Sequence, residues 1–291
     1  MADGLSANAS QRRRRPVSDS LREYGRGIAG GLLFSLPLLY TMEVWWAGFT
    51  SHPGNVLGYL VATYVLLLGY NRYGGFRRDV YWLDVFTDSM EELGLGLLVS
   101  LGVLVLIGRI GQGTSLQEAV GMVVVEAGTV AIGVSVGTAQ LGGQHREENE
   151  EEDKKRLESA DHVPGQLVIS FCGAVLFAAN VAPTEEVVMI AVETRPWCLL
   201  GIAVLSLLLG GLILFQSDFT RAHRFTRRRL RRDVFAGTFV TYAIALLSSA
   251  LVLWFFGRFT GNGLSVCVAQ VVVLALASTL GASAGRLLIQ S

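Results

Sequence analysis

Six carboxylates stand where the surrounding sequence is too apolar for a solvated surface: Glu43, Asp88, Glu92, Glu126, Glu185 and Glu186. A carboxylate taken out of water must find a positive partner, hold a cation from outside the chain or take up a proton, because a lone buried charge is too costly to persist. All 24 Lys and Arg fall at the ends of apolar stretches or between them, so no acid has a basic partner at its own depth. Proton or cation chemistry remains, as a neutral carboxyl, a carboxylate around a metal ion, or a carboxylate in a water-filled passage.

Spacing refines this. Asp88 and Glu92 are four residues apart and share a helical face, where like charges repel unless a proton or cation lies between them, while Glu91 points elsewhere. In Asn180-Val181-Ala182-Pro183-Thr184-Glu185-Glu186 the proline interrupts the helix one turn before the acids and frees backbone carbonyls, with Asn180 and Thr184 as further oxygen donors. Thr41 stands before Glu43 in the same way, and Pro37 lies one turn earlier. Such oxygen-rich, partly unwound places suit protons or hard cations. The opposing reading makes Pro183 a plain kink and the acids hydrogen-bonded helix glue, whose substitution costs folding and not flux.

Catalytic signatures are missing. His52, His145, His162 and His223 fall in loops or at the ends of apolar stretches, and no HExxH, nucleophile elbow, P-loop or dinucleotide fingerprint occurs. Cys172, Cys198 and Cys267 have no metal or redox spacing and read as small apolar residues. The sequence therefore predicts no catalytic residue, no cofactor and no enzyme, and leaves the identity of any metal open.

The elements that must position the acids are transmembrane helices. The 291 residues are 51% hydrophobic and 16% charged, with mean hydropathy +0.46, and the charges avoid apolar blocks of about 20 residues each. Eight spans are expected at 27–49, 54–71, 83–107, 115–141, 166–191, 197–216, 233–256 and 263–289. They lack the alternation of barrel strands. Counting a rise of about 1.5 Å per residue, Glu43 and Glu186 fall in the outer third of the membrane, Glu126 near the midplane, and Asp88 and Glu92 in the inner half.

Arginines orient the chain. Arg12 to Arg15, Arg22, Arg26, Arg72, Arg77, Arg78 and the comb Arg221, Arg224, Arg227, Arg228, Arg229, Arg231 and Arg232 all fall on one side, which is expected to be cytoplasmic with both termini. The comb, Arg227 to Arg232 above all, is placed to meet anionic lipid. The zero formal net charge hides this segregation and offers nothing to nucleic acid.

Two halves of the chain align. At an offset of 143, Gly30, Leu33, Phe34, Thr41, Glu43, Val44, Pro53, Leu57 and Gly58 fall on Gly173, Leu176, Phe177, Thr184, Glu186, Val187, Pro196, Leu200 and Gly201. At 149, Asp84-Val85-Phe86 and Gly108-Arg109 meet Asp233-Val234-Phe235 and Gly257-Arg258; at 148, Gly113, Gly133, Ser135 and Gly137 meet Gly261, Gly281, Ser283 and Gly285. A four-helix unit in tandem gives parallel repeats. The expected organisation is a basic tail at 1–26, a first repeat at 27–142, a charged cytoplasmic linker at 143–165 and a second repeat at 166–291. The acids are unequally shared: Asp88, Glu92 and Glu126 align with Gly237, Thr241 and Leu274.

The Asn-x-Ala-Pro-Thr-Glu-Glu segment, followed by Val187 to Ala191, resembles a hallmark of a bacterial family of integral membrane proteins of unknown function, over nearly the whole chain after Arg26. That resemblance implies a multi-pass protein of the bacterial inner membrane and carries no activity. The residues themselves suggest an all-α protein of eight transmembrane helices that conducts, transports or senses a proton or divalent metal. The alternatives are a scaffold or sensor with structural acids and, behind it, a metal-dependent intramembrane enzyme. Lipid is the expected partner, and the oligomeric state is unassigned.

Overall fold

A computed structural model describes the backbone of residues 17–74, 82–141, 163–221 and 227–290, and the side chains of 21–74, 82–139, 164–215 and 235–285. Among these residues there are ten helices: α1 (Val17–Leu39), α2 (Met42–Thr50), α3 (Pro53–Tyr73), α4 (Trp82–Leu106), α5 (Leu116–Leu141), α6 (Val163–Val181), α7 (Glu185–Glu193), α8 (Pro196–Arg221), α9 (Arg227–Phe255) and α10 (Leu264–Gln290). Seven are long and apolar enough to cross a membrane, and the pair α1 and α2 makes an eighth candidate. Exposed side chains such as Leu83, Leu106, Trp197 and Leu208 leave apolar surface outward, as lipid-facing helices require.

Two of the expected continuous spans are broken. The chain turns by 86° between α1 and α2, and α6 ends at Val181, with three residues between it and the start of α7 at Glu185. Pro183 falls within the second break and explains it, since a proline lacks the N–H that continues a helix and its ring crowds the preceding turn, whereas Pro37 lies inside α1, ahead of the first break. The threonines after the breaks then tie off loose carbonyls. Thr41 donates its hydroxyl to Pro37 O at 2.6 Å, and Thr184 donates to Val181 O at 2.8 Å. In both places the backbone closes alike: Thr41 N–H donates to Leu38 O at 2.8 Å, and Thr184 N–H to Val181 O at 3.1 Å.

The packing is built on two hub helices. α5 packs against α1, α2, α3 and α4, and α10 packs against α6, α7, α8 and α9. Close approach needs small residues, because lipid gives helices no hydrophobic reason to associate. Gly30 lies on Gly133 and Gly137, Gly173 on Gly281 and Gly285, and Gly48 on Gly121, so closely that a Cβ at any of these contacts meets opposing backbone. The halves join through α6, which touches α1, α3 and α5. A shared cluster there includes Leu67, Tyr70, Ile132, Leu176, Ala179 and Leu253.

The regions 1–16, 75–81, 142–162 and 222–226 lie outside the described residues, and with them Arg12 to Arg15, Arg77, Arg78, Arg224 and most of the expected linker. Arg227 to Arg232 open α9, and their side chains are likewise outside the description.

Candidate functional site

The six acids occupy three kinds of environment. Glu43 stands in the first turn of α2, and Glu185 and Glu186 in the first turn of α7. The breaks before α2 and α7 leave helix N-termini there, and a carboxylate in the first turn is stabilised by the unpaired N–H groups and the helix dipole. Glu43 is half-buried, whereas Glu185 and Glu186 are both exposed. Asn180 keeps its side-chain oxygen, the expected donor to a cation, unengaged. Its amide donates N–H to Leu176 O at 2.7 Å and, across the halves, to Phe34 O at 3.0 Å, while its Oδ1 is buried without a hydrogen bond.

Glu92 is held in a network. Asn71 on α3 donates to Glu92 Oε2 at 2.7 Å and to Ser89 Oγ at 3.0 Å, and Ser135 on α5 donates to Asn71 Oδ1 at 3.1 Å. Three helices are thereby pinned at one level. Asp88 lies one turn away from Glu92, close enough for the two acids to repel.

Glu126 has no such support. It is 0% exposed, and neither carboxyl oxygen has a hydrogen-bond partner. The Trp45 indole from α2 approaches it, yet Trp45 Nε1 is also buried without a hydrogen bond. The Tyr59 hydroxyl of α3 is close enough to feel its charge, and the hydroxyl end of the Tyr59 ring abuts Gly128, where any side chain would displace it. Tyr59 in turn stacks on Phe255 of α9, with ring centroids 4.4 Å apart, so a residue of the second half backs this ring. On α4, Ser100 Oγ is buried and unpartnered as well. Its level follows from Gly96, which abuts Ala127 and Ala131, and Leu104, which packs with Met122.

Beside Trp45 lies a cleft of about 440 Å³, lined by Met42, Trp45, Trp46, Phe49, Arg109, Gln112, Gly113, Thr114, Glu118 and Met122. Arg109 stacks over the Trp45 ring at 4.0 Å from its centroid. The turn after α4 places it: Gly108 adopts φ 73°, where a side chain would be strained, and Arg109 N–H reaches back to Leu104 O at 2.8 Å. A basic group absent from the linear neighbourhood of Glu126 thus lies one indole away. Glu118 caps α5 reciprocally with Ser115: its Oε2 accepts from Ser115 N–H at 3.0 Å, and Glu118 N–H donates to Ser115 Oγ at 3.2 Å.

Sequence reading singled out Glu126 and Glu92 and missed Trp45, Tyr59, Asn71, Ser135 and Arg109. Asn71 carried a signal, as an amide in a span long enough to cross the membrane, and Ser115-x-x-Glu118 is a legible capping box. Nothing in the local sequence ties Trp45 to residue 126. Among the described residues no group of three or more His, Cys, Asp or Glu converges on a possible metal position, and Cys172, Cys198 and Cys267 are free thiols.

No match to a curated protein or to a solved structure was found. Residues 23–289 match the family described as "Putative integral membrane protein (DUF2391)", and the chain belongs to that family of multi-pass membrane proteins.

Proposed function

We propose that this protein takes up and passes protons through the first half of the chain, with Glu126 and Glu92 as the proton-binding groups. The observation that carries the reading is Glu126: a wholly enclosed carboxyl with both oxygens unpartnered. An ionised carboxylate has no stable place there, so the site works by binding a neutralising species. A proton needs a single carboxyl, whereas a divalent metal needs several oxygen or nitrogen ligands, and no such group converges among the described residues. The proton therefore stands ahead of the metal.

The two sites share α5. Ser135, which anchors the Glu92 network, is nine residues from Glu126, or about 13 Å along the helix axis. Asp88 extends the series toward the side assigned to the cytoplasm by the arginines, and Glu43 lies at the other end. Glu185 and Glu186, exposed in the first turn of α7, fit the structural alternative better, as partners of a helix N-terminus.

In this reading the chain is two parallel repeats, with termini facing the cytoplasm across a bacterial inner membrane. Supporting the duplication, the same set of pairings surrounds α5 and α10, and Gly108 and Gly257 adopt φ 73° and 68° before arginines that reach back to Leu104 O and Leu253 O. The function is not enzymatic and uses no cofactor. Proteoliposomes loaded with a pH-sensitive dye test it: an imposed membrane potential should drive acidification or alkalinisation that Glu126→Gln abolishes and that calcium, manganese and potassium do not replace. Absence of proton movement with the native protein, or unchanged movement with Glu126→Gln, would overturn the proposal.

A further inference from the structure

The cleft above Trp45 has a chemistry of its own. Its walls are Trp45, Trp46, Phe49, Met42 and Met122, and its one basic side chain is Arg109. The guanidinium rests on the indole face, a contact that occupies its plane and leaves its N–H edge open. Arg109 is exposed and makes no ion pair or side-chain hydrogen bond among the described residues. The one acid in the lining, Glu118, is engaged with the Ser115 N–H in the helix cap. The backbone turn at Gly108 sets the arginine over the cleft, so its place does not depend on a long side chain finding the interface.

We propose that this cleft binds a small organic anion: a carboxylate with an aromatic or aliphatic body. The carboxylate pairs with the Arg109 N–H edge, where a planar fork can donate two parallel hydrogen bonds, and the Gln112 amide lies within the same lining. The apolar body lies against Trp46, Phe49 and Met122. About 440 Å³ accommodates an anion of one or two rings. The aligned positions in the second half do not repeat the lining: Trp45, Trp46 and Phe49 correspond to Val188, Met189 and Val192, and Met42 corresponds to Glu185. An arginine recurs there as Arg258, but without the aromatic walls and with an acid in place of Met42. The site is thus particular to the first half, and it stands whether or not Glu126 carries protons.

Calorimetric titration of the full chain in phosphatidylcholine nanodiscs tests it, with 2-naphthoate as probe and neutral 2-naphthamide as its control. Saturable binding of naphthoate without binding of the amide is expected, with affinity falling at least tenfold in Arg109→Gln, less in Arg109→Lys, and several-fold in the exposed-wall variant Phe49→Ala. The last variant leaves the Arg109–Trp45 stack intact and keeps the test decisive if Arg109→Gln folds poorly. Equal binding of acid and amide, unchanged affinity in both Arg109→Gln and Phe49→Ala, or no heat at millimolar naphthoate would overturn the proposal. So would naphthoate binding that disappears when phosphatidylglycerol replaces phosphatidylcholine, since the occupant would then be a lipid headgroup.

Discussion

Replacing Glu126 by leucine should make this protein more stable and less able to move protons. The carboxyl is fully enclosed and makes no hydrogen bond through either oxygen. A buried polar group in that condition costs about 1–3 kcal/mol relative to a partnered one. Leucine has nearly the same volume, presents nothing to satisfy, and already occupies the aligned position as Leu274, which is 1% exposed. The gain should therefore be about 1–3 kcal/mol, and at about 2–4 °C per kcal/mol for a chain of this order the melting temperature should rise by roughly 2–12 °C. Thermal unfolding of native and variant protein in one detergent measures it, beside the dye assay for proton movement. A site retained at a cost to stability is expected where function needs it. A melting temperature lowered by several degrees would refute the reasoning, because it would mean that the carboxyl has a favourable partner in the folded protein.

The neighbouring acid should behave in the opposite way. Glu92→Leu strands the Asn71 amide at the junction of three helices and should cost about 2–4 kcal/mol, while Glu92→Gln keeps an acceptor for Asn71 and should stay within about 1 kcal/mol; chemical unfolding of both variants distinguishes them. Gly121→Val drives a side chain into the Gly48 carbonyl and should cost roughly 1–3 kcal/mol or more, together with a change in Trp fluorescence as α2 and Trp45 shift. Ser115→Ala removes one half of the reciprocal cap on α5 and should lower stability by about 0.5–2 kcal/mol without affecting proton movement.

Much of the framework was legible because it rests on local properties. Apolar runs of membrane-spanning length and the absence of strand alternation place eight stretches, and the helices Pro53–Tyr73, Trp82–Leu106 and Leu116–Leu141 begin and end within a few residues of where hydropathy alone puts them. Pro183 and Pro37 marked the places where two of those stretches break. Composition by itself also established that several acids sit among apolar residues with no nearby base. These conclusions need only the chain's own neighbours, since helix formation in an apolar setting is decided over a few turns.

The fate of each acid was decided by packing. An angle of 86° between α1 and α2 is invisible to periodicity, yet it carries Trp45 across to Glu126. It also carries Trp45 beneath Arg109, 64 positions later in the chain. Asn71 reaches Ser135 across the same 64-residue separation. The Asn180 N–H group likewise reaches a carbonyl of the other half, at Phe34. The sequence alone determined that this is a helical membrane protein with acids to neutralise. Tertiary structure alone decided that Glu92 is bound, that Glu185 and Glu186 lie at an exposed helix start, and that Glu126 is enclosed without a partner, because side chains far apart in sequence meet only when helices have rotated, bent and packed.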